Sequence, residues 1–309
     1  MFRLRGAVKR AVESALVGSG MVTRRIERDR SSVAILAYHN IVPHGEPTVG
    51  ERSVHLPQET FARQLDLLST WYDFVSLDEA LEDFQTDVPR PRVVVTFDDA
   101  YTGAVTAGFE ELRKRGIPST MFVPPGLLGG EGFWWDMVTR RGSETLEADI
   151  RTHALEALEG RQPEILRWAR AENMTIRDLP PHARPVDAAG LIDAARDSNV
   201  NLAAHTWSHP NLSRIQTDEA VTEVRRSIEW IRGRGGGPQT WFAYPYGLTS
   251  QPVAEEVAAC TSGGLLVSGG PARQRGRRRG SRSSVPRVLI ARGLTLDGLL
   301  LRVAGLVRS

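Results

Sequence analysis

The chain alternates between short apolar runs and segments whose apolar residues recur at helical spacing. Strands are predicted where an apolar or β-branched run ends in polar residues or Pro and Gly, at Val33 to Tyr38, Val93 to Phe97, Ser119 to Val123, Val200 to Ala204, Thr240 to Tyr244, Gly264 to Val267 and Val285 to Ile290. Helices are predicted between them, for example around Phe61, Leu65 and Leu68. About seven strands alternating with helices favour an α/β barrel with parallel strands.

Polar residues follow the carboxyl ends of several predicted strands. The first strand ends at His39, the second runs into Asp98 and Asp99, and the fourth ends at His205. In a parallel barrel these ends lie at one face, where the loops after the strands carry the chemistry. The sequence therefore predicts that these side chains meet.

The length of 309 residues is compatible with one large domain, predicted here to span residues 31–309. Residues 1–30 form a basic leader that has the pattern of an amphipathic helix, either packed on the surface or solvated. Residues 129–190 contain helical segments with no evident strand, and we interpret them as a helical excursion on the rim of the barrel.

Charge and cysteine content exclude several classes of protein. The net charge is only +2, so no global field points to nucleic acid as a partner. Cys260 is the single cysteine, so no internal disulfide is available, and a cytoplasmic location is favoured. No run reaches the roughly 18 apolar residues of a membrane span, although the basic leader leaves room for peripheral contact with a membrane face. The oligomeric state is not predicted.

His205 and His209 are four residues apart and lie on one face if the segment turns helically. With 7 His in 309 residues, about 0.16 such pairs arise by chance, and capping or surface histidines are the plainer interpretation. Their place after a buried strand, together with Asp98 and Asp99 after another, favours a metal site. Two His and one Asp form a shell with an open position, for which zinc is the first expectation and other divalent ions remain alternatives.

Asp98 and Asp99 can divide the work of such a site. One carboxylate ligates the ion, and its neighbour accepts a proton from the attacking water. An Asp pair at a strand–helix junction is also a common helix cap or turn, so the pair alone does not establish catalysis.

Three motifs in succession resemble those of the polysaccharide deacetylase family, also called NodB-homology or carbohydrate esterase family 4 proteins. They are Thr-Phe-Asp-Asp-Ala-Tyr at 96–101, His-Thr-Trp-Ser-His-Pro at 205–210 and Phe-Ala-Tyr-Pro-Tyr-Gly at 242–247. The resemblance covers roughly Val33 to Ile290. It implies a distorted, incomplete (β/α)7 barrel and metal-dependent hydrolysis of an N-acetyl amide.

The resemblance assigns roles residue by residue. By its place in the motif, Asp98 resembles the family's general base. Asp99, His205 and His209 resemble the family's three metal ligands. The backbone N–H of Tyr246 is similar to the family's oxyanion donor. The side chains of Tyr101 and Tyr246 are expected to contact the substrate.

The sequence departs from the family at the proton donor. The usual late Leu-x-His motif is absent, since the last histidine is His209. Tyr38-His39 resembles instead a branch with an N-terminal Tyr-His motif, which makes His39 the expected acid for the departing amine. A core histidine bonded to the backbone is the alternative.

Other departures concern the surroundings of Asp98. Ala100 replaces the usual Gly, and Ala243 stands where many members have an Arg that orients the base. Arg287, at the start of the last strand, is a candidate replacement. The family's Asp-x-x-x-Trp motif has no counterpart that we can identify.

Two further segments are open to two interpretations each. Trp134 and Trp135 either stack on a sugar ring at the rim or anchor the helical excursion by packing. The segment Arg273 to Arg282 either binds phosphate, in a nucleotide sugar, a lipid-linked pyrophosphate or an anionic membrane face, or forms a solvated charged loop.

The resulting hypothesis is an enzyme that removes the N-acetyl group from an N-acetylhexosamine-containing glycan or glycan precursor. A water activated by the metal attacks the amide carbonyl, with Asp98 as base and His39 as acid. A superfamily amide hydrolase acting on a formyl or cyclic amide is the alternative of the same class. The alternative of a different class is a carbohydrate-binding barrel that has lost catalysis, which is compatible with the missing late His.

Overall fold

The computed structural model describes residues 2–82, 88–234, 240–272 and 282–307. The strands in these ranges are β1 (Val33–Tyr38), β2 (Asn40–Val42), β3 (His55–Pro57), β4 (Asp73–Phe74), β5 (Arg92–Asp98), β6 (Ser119–Val123), β7 (Val138–Thr139), β8 (Thr175–Ile176), β9 (Val200–Ala204), β10 (Trp241–Ala243), β11 (Gly263–Gly269) and β12 (Val285–Leu289). The helices are α1 (Phe2–Gly18), α2 (Met21–Arg28), α3 (Gln58–Ser69), α4 (Leu77–Glu82), α5 (Phe109–Arg115), α6 (Trp134–Met137), α7 (Ala148–Glu156), α8 (Gln162–Ala171), α9 (Ala188–Asp197), α10 (Thr217–Arg232), α11 (Gln251–Cys260) and α12 (Leu296–Val303).

Seven strands pair in parallel and close a ring in the order β1, β12, β11, β10, β9, β6, β5 and back to β1. The pair that closes the ring runs from Val33 opposite Arg92 to Tyr38 opposite Phe97. The short strand β4 is added beside the start of β5. A complete barrel of this type has eight strands, so the predicted incomplete (β/α)7 barrel is confirmed.

The barrel interior follows from the period-two alternation of strand side chains. One buried cluster collects alternate residues of the ring strands, among them Val33, Ile35, Val94, Phe122, Ala203, Ala243, Leu265 and Val285. The intervening residues, such as Leu36, Val95 and Met121, belong to a larger cluster shared with the surrounding helices. Asp98 and Arg287 have the same parity as Val94 and Val285, so both side chains are directed into the barrel.

The segment between β6 and β9 contains α6, α7 and α8 before the ordinary barrel helix α9. It also contains one antiparallel pair, in which Val138 lies opposite Ile176. The sequence predicts no strand here, because two-residue strands are too short to produce a periodic pattern.

The N-terminal helix α1 packs on α12, where Thr295 Oγ1 donates a hydrogen bond of 2.6 Å to Glu13 Oε2. Val8 and Val12 on this helix are 57% and 52% exposed. In the described ranges, no helix is both long enough and apolar enough to cross a membrane.

Candidate active site

The motif residues lie in loops at the carboxyl ends of β5, β9 and β10, where the backbone adopts an unusual conformation. Asp99, Ala100, Thr206, His209 and Tyr246 have φ of 73°, 56°, 61°, 61° and 58°. Side-chain-bearing residues rarely adopt this left-handed region, and such strain concentrates at functional sites. It also explains why a Gly is usual in the family at the position of Ala100, because Gly adopts this conformation without steric cost.

Asp99, His205 and His209 converge in a buried cluster. Each offers one ligand atom, and these atoms all lie within 4.8 Å of one another. Nε2 of His205 and of His209 lie 3.5 and 3.2 Å from Asp99 Oδ1. This oxygen is buried and has no hydrogen-bond partner among the described residues. Two imidazole nitrogens and an unsatisfied carboxylate oxygen at this spacing fit a divalent cation.

The orientation of His205 is set by its other ring nitrogen. Nδ1 of His205 lies 2.7 Å from the backbone carbonyl oxygen of Ala243, to which it can only donate. The second nitrogen, Nε2, is then the free acceptor and faces Asp99, which is the usual arrangement of a metal-binding histidine.

The loop that carries the two histidines is held by Glu223 of α10. This carboxylate accepts hydrogen bonds from the backbone N–H groups of Trp207 and Ser208, at 2.9 and 2.7 Å, and from Ser208 Oγ at 2.9 Å. Thr206 Oγ1 accepts from the backbone N–H of His209 at 3.0 Å. These bonds stabilise the strained turn that places His205 and His209 side by side.

Asp98 is fixed by a buried, bidentate ion pair with Arg287. The two Nη atoms donate to the two carboxylate oxygens at 2.7 Å each. Arg287 is fully buried, and its remaining donors reach Leu266 O at 2.7 Å and Thr96 Oγ1 at 3.1 Å. The structure thus places Arg287, from the last barrel strand, against the candidate base.

The electrostatics of the site keep both carboxylates ionised. Burial raises the pKa of Asp98, but the charge and hydrogen bonds of Arg287 outweigh it and leave that pKa below its usual value. Burial likewise raises the pKa of Asp99, and the nearby imidazole of His209 contributes to a net lowering. A metal ligand and a general base both need to be deprotonated at neutral pH.

Asp98, Asp99, His205 and His209 line one cleft. His39 follows β1 and lines it too, with Nε2 4.0 Å from Asp98 Oδ2. Its side chain is 11% exposed, and burial lowers its pKa. The structure therefore brings His39 together with Asp98 and with the cluster of Asp99, His205 and His209, at the mouth of the barrel.

The aromatic residues named by the sequence are distributed over the cleft and the core behind it. Tyr246 and Trp135 line the cleft, and their rings lie 4.6 and 5.0 Å from the ring of His209. Trp134 is 1% exposed and donates through Nε1 to Tyr246 Oη at 3.0 Å. Tyr101 is fully buried behind Trp135. The structure does not place Trp134 or Tyr101 where a bound sugar would touch them, because neighbouring side chains cover both.

Some cleft residues are absent from the sequence interpretation. Glu51 and Arg151 line the cleft of about 140 Å³, with Arg151 Nη1 3.7 Å from Glu51 Oε2. They lie in a loop and in α7, outside any strand end or motif, so no signal in the sequence pointed to them. The proposed phosphate-gripping segment falls largely on residues 273–281, which lie outside the described residues.

Comparison with known proteins relates this site to deacetylases. A family model described as polysaccharide deacetylase matches residues 85–262. The peptidoglycan-N-acetylglucosamine deacetylase PgdA of Listeria monocytogenes is 26% identical over 68 residues, which are 22% of this chain and 15% of that protein.

Two solved structures share the fold over most of the chain. The deacetylase PplD of Streptococcus pyogenes, in complex with acetate, is 18% identical, with a TM-score of 0.61 over 88% of this chain and 98% of that one. IcaB from Ammonifex degensii is 18% identical, with a TM-score of 0.60 over 88% and 97% of the two chains.

Proposed function

Since the chain belongs to the polysaccharide deacetylase family, we propose that it removes the N-acetyl group from an N-acetylhexosamine in a glycan or glycan precursor. The observation that carries the proposal is the convergence of Asp99, His205 and His209 within 4.8 Å. The ion pair of Asp98 with Arg287 beside this cluster supports a base ready to act there.

The proposed metal ligands are Asp99, His205 and His209, and zinc is the proposed ion because it favours His and carboxylate ligands with one position left open. A divalent cation held there would supply Lewis acidity, which polarises the amide carbonyl and makes a water molecule a stronger nucleophile near neutral pH. The orphaned Asp99 Oδ1 and the donor role of His205 Nδ1 support this ligand set.

Asp98 is the proposed general base. Its carboxylate is ionised and held in one orientation by the two bonds from Arg287, so it can accept the proton of the attacking water without first reorienting. The backbone N–H of Tyr246 is the proposed donor to the former carbonyl oxygen, which becomes an oxyanion when water adds to the amide.

His39 is the proposed general acid, in the place of the histidine that the family usually supplies late in the sequence. Its position 4.0 Å from Asp98 puts its imidazole on the cleft side of the base. The protonated imidazole of His39 would give its proton to the amide nitrogen and become neutral. The product then leaves as a neutral amine, which is a far better leaving group than the amine anion.

We also propose that residues 31–309 act as one catalytic domain in the cytoplasm, with residues 1–30 as a leader that allows peripheral contact with a membrane face. The single cysteine allows no internal disulfide, so nothing in the covalent framework requires an oxidising compartment. Val8 and Val12 are exposed next to Lys9 and Arg10, a combination that suits an anionic lipid surface.

Acetate release tests the function. Purified protein is incubated with free, nucleotide-linked, lipid-linked and polymeric acetamido sugars, and we expect acetate from at least one of them, lost with a chelator and restored by zinc. Release of formate, or opening of a cyclic amide without any acetate, would identify the amide hydrolase alternative. Sugar binding without turnover, unchanged by His39→Ala, would identify a barrel that has lost catalysis.

A further inference from the structure

Behind the cleft lies a buried carboxylate, Asp136, that the proposed chemistry does not use. It is fully buried, and its two oxygens are close to three donors. Oδ1 accepts from the backbone N–H of Glu51 at 2.8 Å and lies 2.8 Å from His55 Nε2, while Oδ2 accepts from Tyr101 Oη at 2.6 Å. A buried carboxylate with three short hydrogen bonds is a strong fixed point in a fold.

Two parts of the cleft wall are attached to this carboxylate. Tyr101 Oη, which donates to Asp136, accepts from Trp135 Nε1 at 2.8 Å, and Trp135 lines the cleft beside His209. Glu51, Ser53 and Val54 also line the cleft and form what we call its polar wall, whereas Trp135 forms its aromatic wall. One side chain outside the cleft therefore fixes both an aromatic wall and a polar wall.

The polar wall offers groups suited to sugar hydroxyls. Glu51 Oε1 accepts from Ser53 Oγ at 2.7 Å, and its other oxygen lies 3.7 Å from Arg151 Nη1. At 3.7 Å, Arg151 Nη1 and Glu51 Oε2 are too far apart for a hydrogen bond to each other. The Arg151 guanidinium can therefore donate to a sugar hydroxyl, and the Glu51 carboxylate can accept from another. Trp135, which is stacked on Phe133 at 4.7 Å and lines the same cleft, adds an apolar contact beside these polar groups.

The surrounding residues leave little freedom for this arrangement. His55 Nδ1 lies 2.9 Å from Asn40 Nδ2, which can only donate, so His55 carries its proton on Nε2 and donates it to Asp136. Gly50 has φ of 70°, and a Cβ atom there would lie 2.3 Å from Asp136 Oδ1. The backbone at position 50 therefore lies too close to the Asp136 carboxylate for a residue with a side chain.

We propose that Asp136 is a positioning residue that shapes the sugar-binding cleft, through Tyr101 on the Trp135 wall and through the Glu51 backbone on the polar wall. Its contribution is to substrate binding and not to the chemical step. The proposal rests on the proposed function for the identity of the ligand, an acetamido sugar, but the arrangement of the wall is testable without it.

The kinetic test uses Tyr101→Phe and Asp136→Asn, with Tyr244→Phe as the matched control. Tyr244 is also a fully buried tyrosine, but its hydroxyl donates to Ser283 O, away from Trp135. We expect KM for the acetamido sugar to rise about tenfold in Tyr101→Phe and more in Asp136→Asn, with kcat within about twofold and metal content unchanged. The control should match the wild type. A fall in kcat at unchanged KM, or loss of metal in Tyr101→Phe, would overturn the proposal.

A second measurement needs neither turnover nor ligand. The indole N–H resonance of Trp135, assigned with Trp135→Phe, is followed by ¹⁵N NMR and hydrogen exchange. Its exchange should accelerate at least tenfold in Tyr101→Phe and Asp136→Asn, and not in Tyr244→Phe. Unchanged exchange would reject the positioning role even in an active enzyme. Accelerated exchange in a protein that releases no acetate from any acetamido sugar would instead keep that role and reject the proposed function.

Discussion

Replacement of Arg287 by Met should be among the most damaging single changes in the barrel. Both Nη atoms bond the Asp98 carboxylate at 2.7 Å, and the arginine is fully buried. Loss of one partner of a buried ion pair leaves an uncompensated charge and costs about 3–5 kcal/mol. A Met side chain fills much of the space, so most of that loss would come from the stranded carboxylate of Asp98 and not from a cavity.

The stability is measured by urea unfolding of the metal-free protein, and the activity by acetate release. Arg287→Met should lose about 3–5 kcal/mol of unfolding free energy, and its turnover should fall about 100-fold or more because the base is no longer oriented. The matched control is Arg225→Met, which breaks an exposed bidentate ion pair with Glu256. This control should be indistinguishable from the wild type in both assays.

The double variant Asp98→Asn/Arg287→Met separates the charge effect from packing. Neutralising the stranded carboxylate should make the double variant more stable than Arg287→Met by about 2 kcal/mol, although it stays inactive. A loss of less than about 1 kcal/mol in Arg287→Met, or further destabilisation by the second substitution, would exclude a stranded charge as the cause.

Three further predictions concern other parts of the site and its scaffold. Glu223→Gln should weaken zinc binding about tenfold in a competition with a chromophoric chelator, because the histidine loop loses its carboxylate anchor; equal affinity would contradict this. His39→Gln should lower kcat about 10²–10⁴-fold at unchanged metal content, and a loss under tenfold would argue against its role as acid. Although burial raises the pKa of Glu111, hydrogen bonds from Gln58, Arg115 and Lys114 lower it to about 2. Because the folded-state pKa is the lower one, the stability advantage of the wild type over Glu111→Gln should be present above the ordinary pKa of 4.5 and vanish as the pH falls to about 2. A difference in urea unfolding free energy that does not change with pH would exclude this.

The fold and the position of the central cluster follow from local sequence features. Apolar runs that end in Asp98, His205 or His39 predict strands whose carboxyl ends share one face, and the closed ring of parallel pairs brings these ends together. This prediction needs only the apolar pattern of each separate strand. In a parallel barrel, every residue that follows a strand lies at the same face.

The remaining features depend on contacts between distant segments. Trp134 and Trp135 are adjacent and identical in type, yet only Trp135 lines the cleft, since the direction of each ring depends on how α6 packs. Asp136 directly follows the tryptophan pair and Glu223 belongs to no motif. The role of each carboxylate is visible only once the fold brings its hydrogen-bond donors close to it. Two-residue strands and a cleft residue such as Arg151 likewise leave no periodic trace.

We expect Asp99, His205 and His209 to share one cation while Asp98 acts beside it. Metal-free wild type, Asp98→Asn and His205→Ala are titrated with zinc by calorimetry, and acetate release is followed on the same samples. Our account predicts one zinc per chain for the wild type and for Asp98→Asn, of which only the wild type turns over, and no tight binding or turnover for His205→Ala. Equal loss of zinc from Asp98→Asn and His205→Ala, or full binding by His205→Ala, would contradict it.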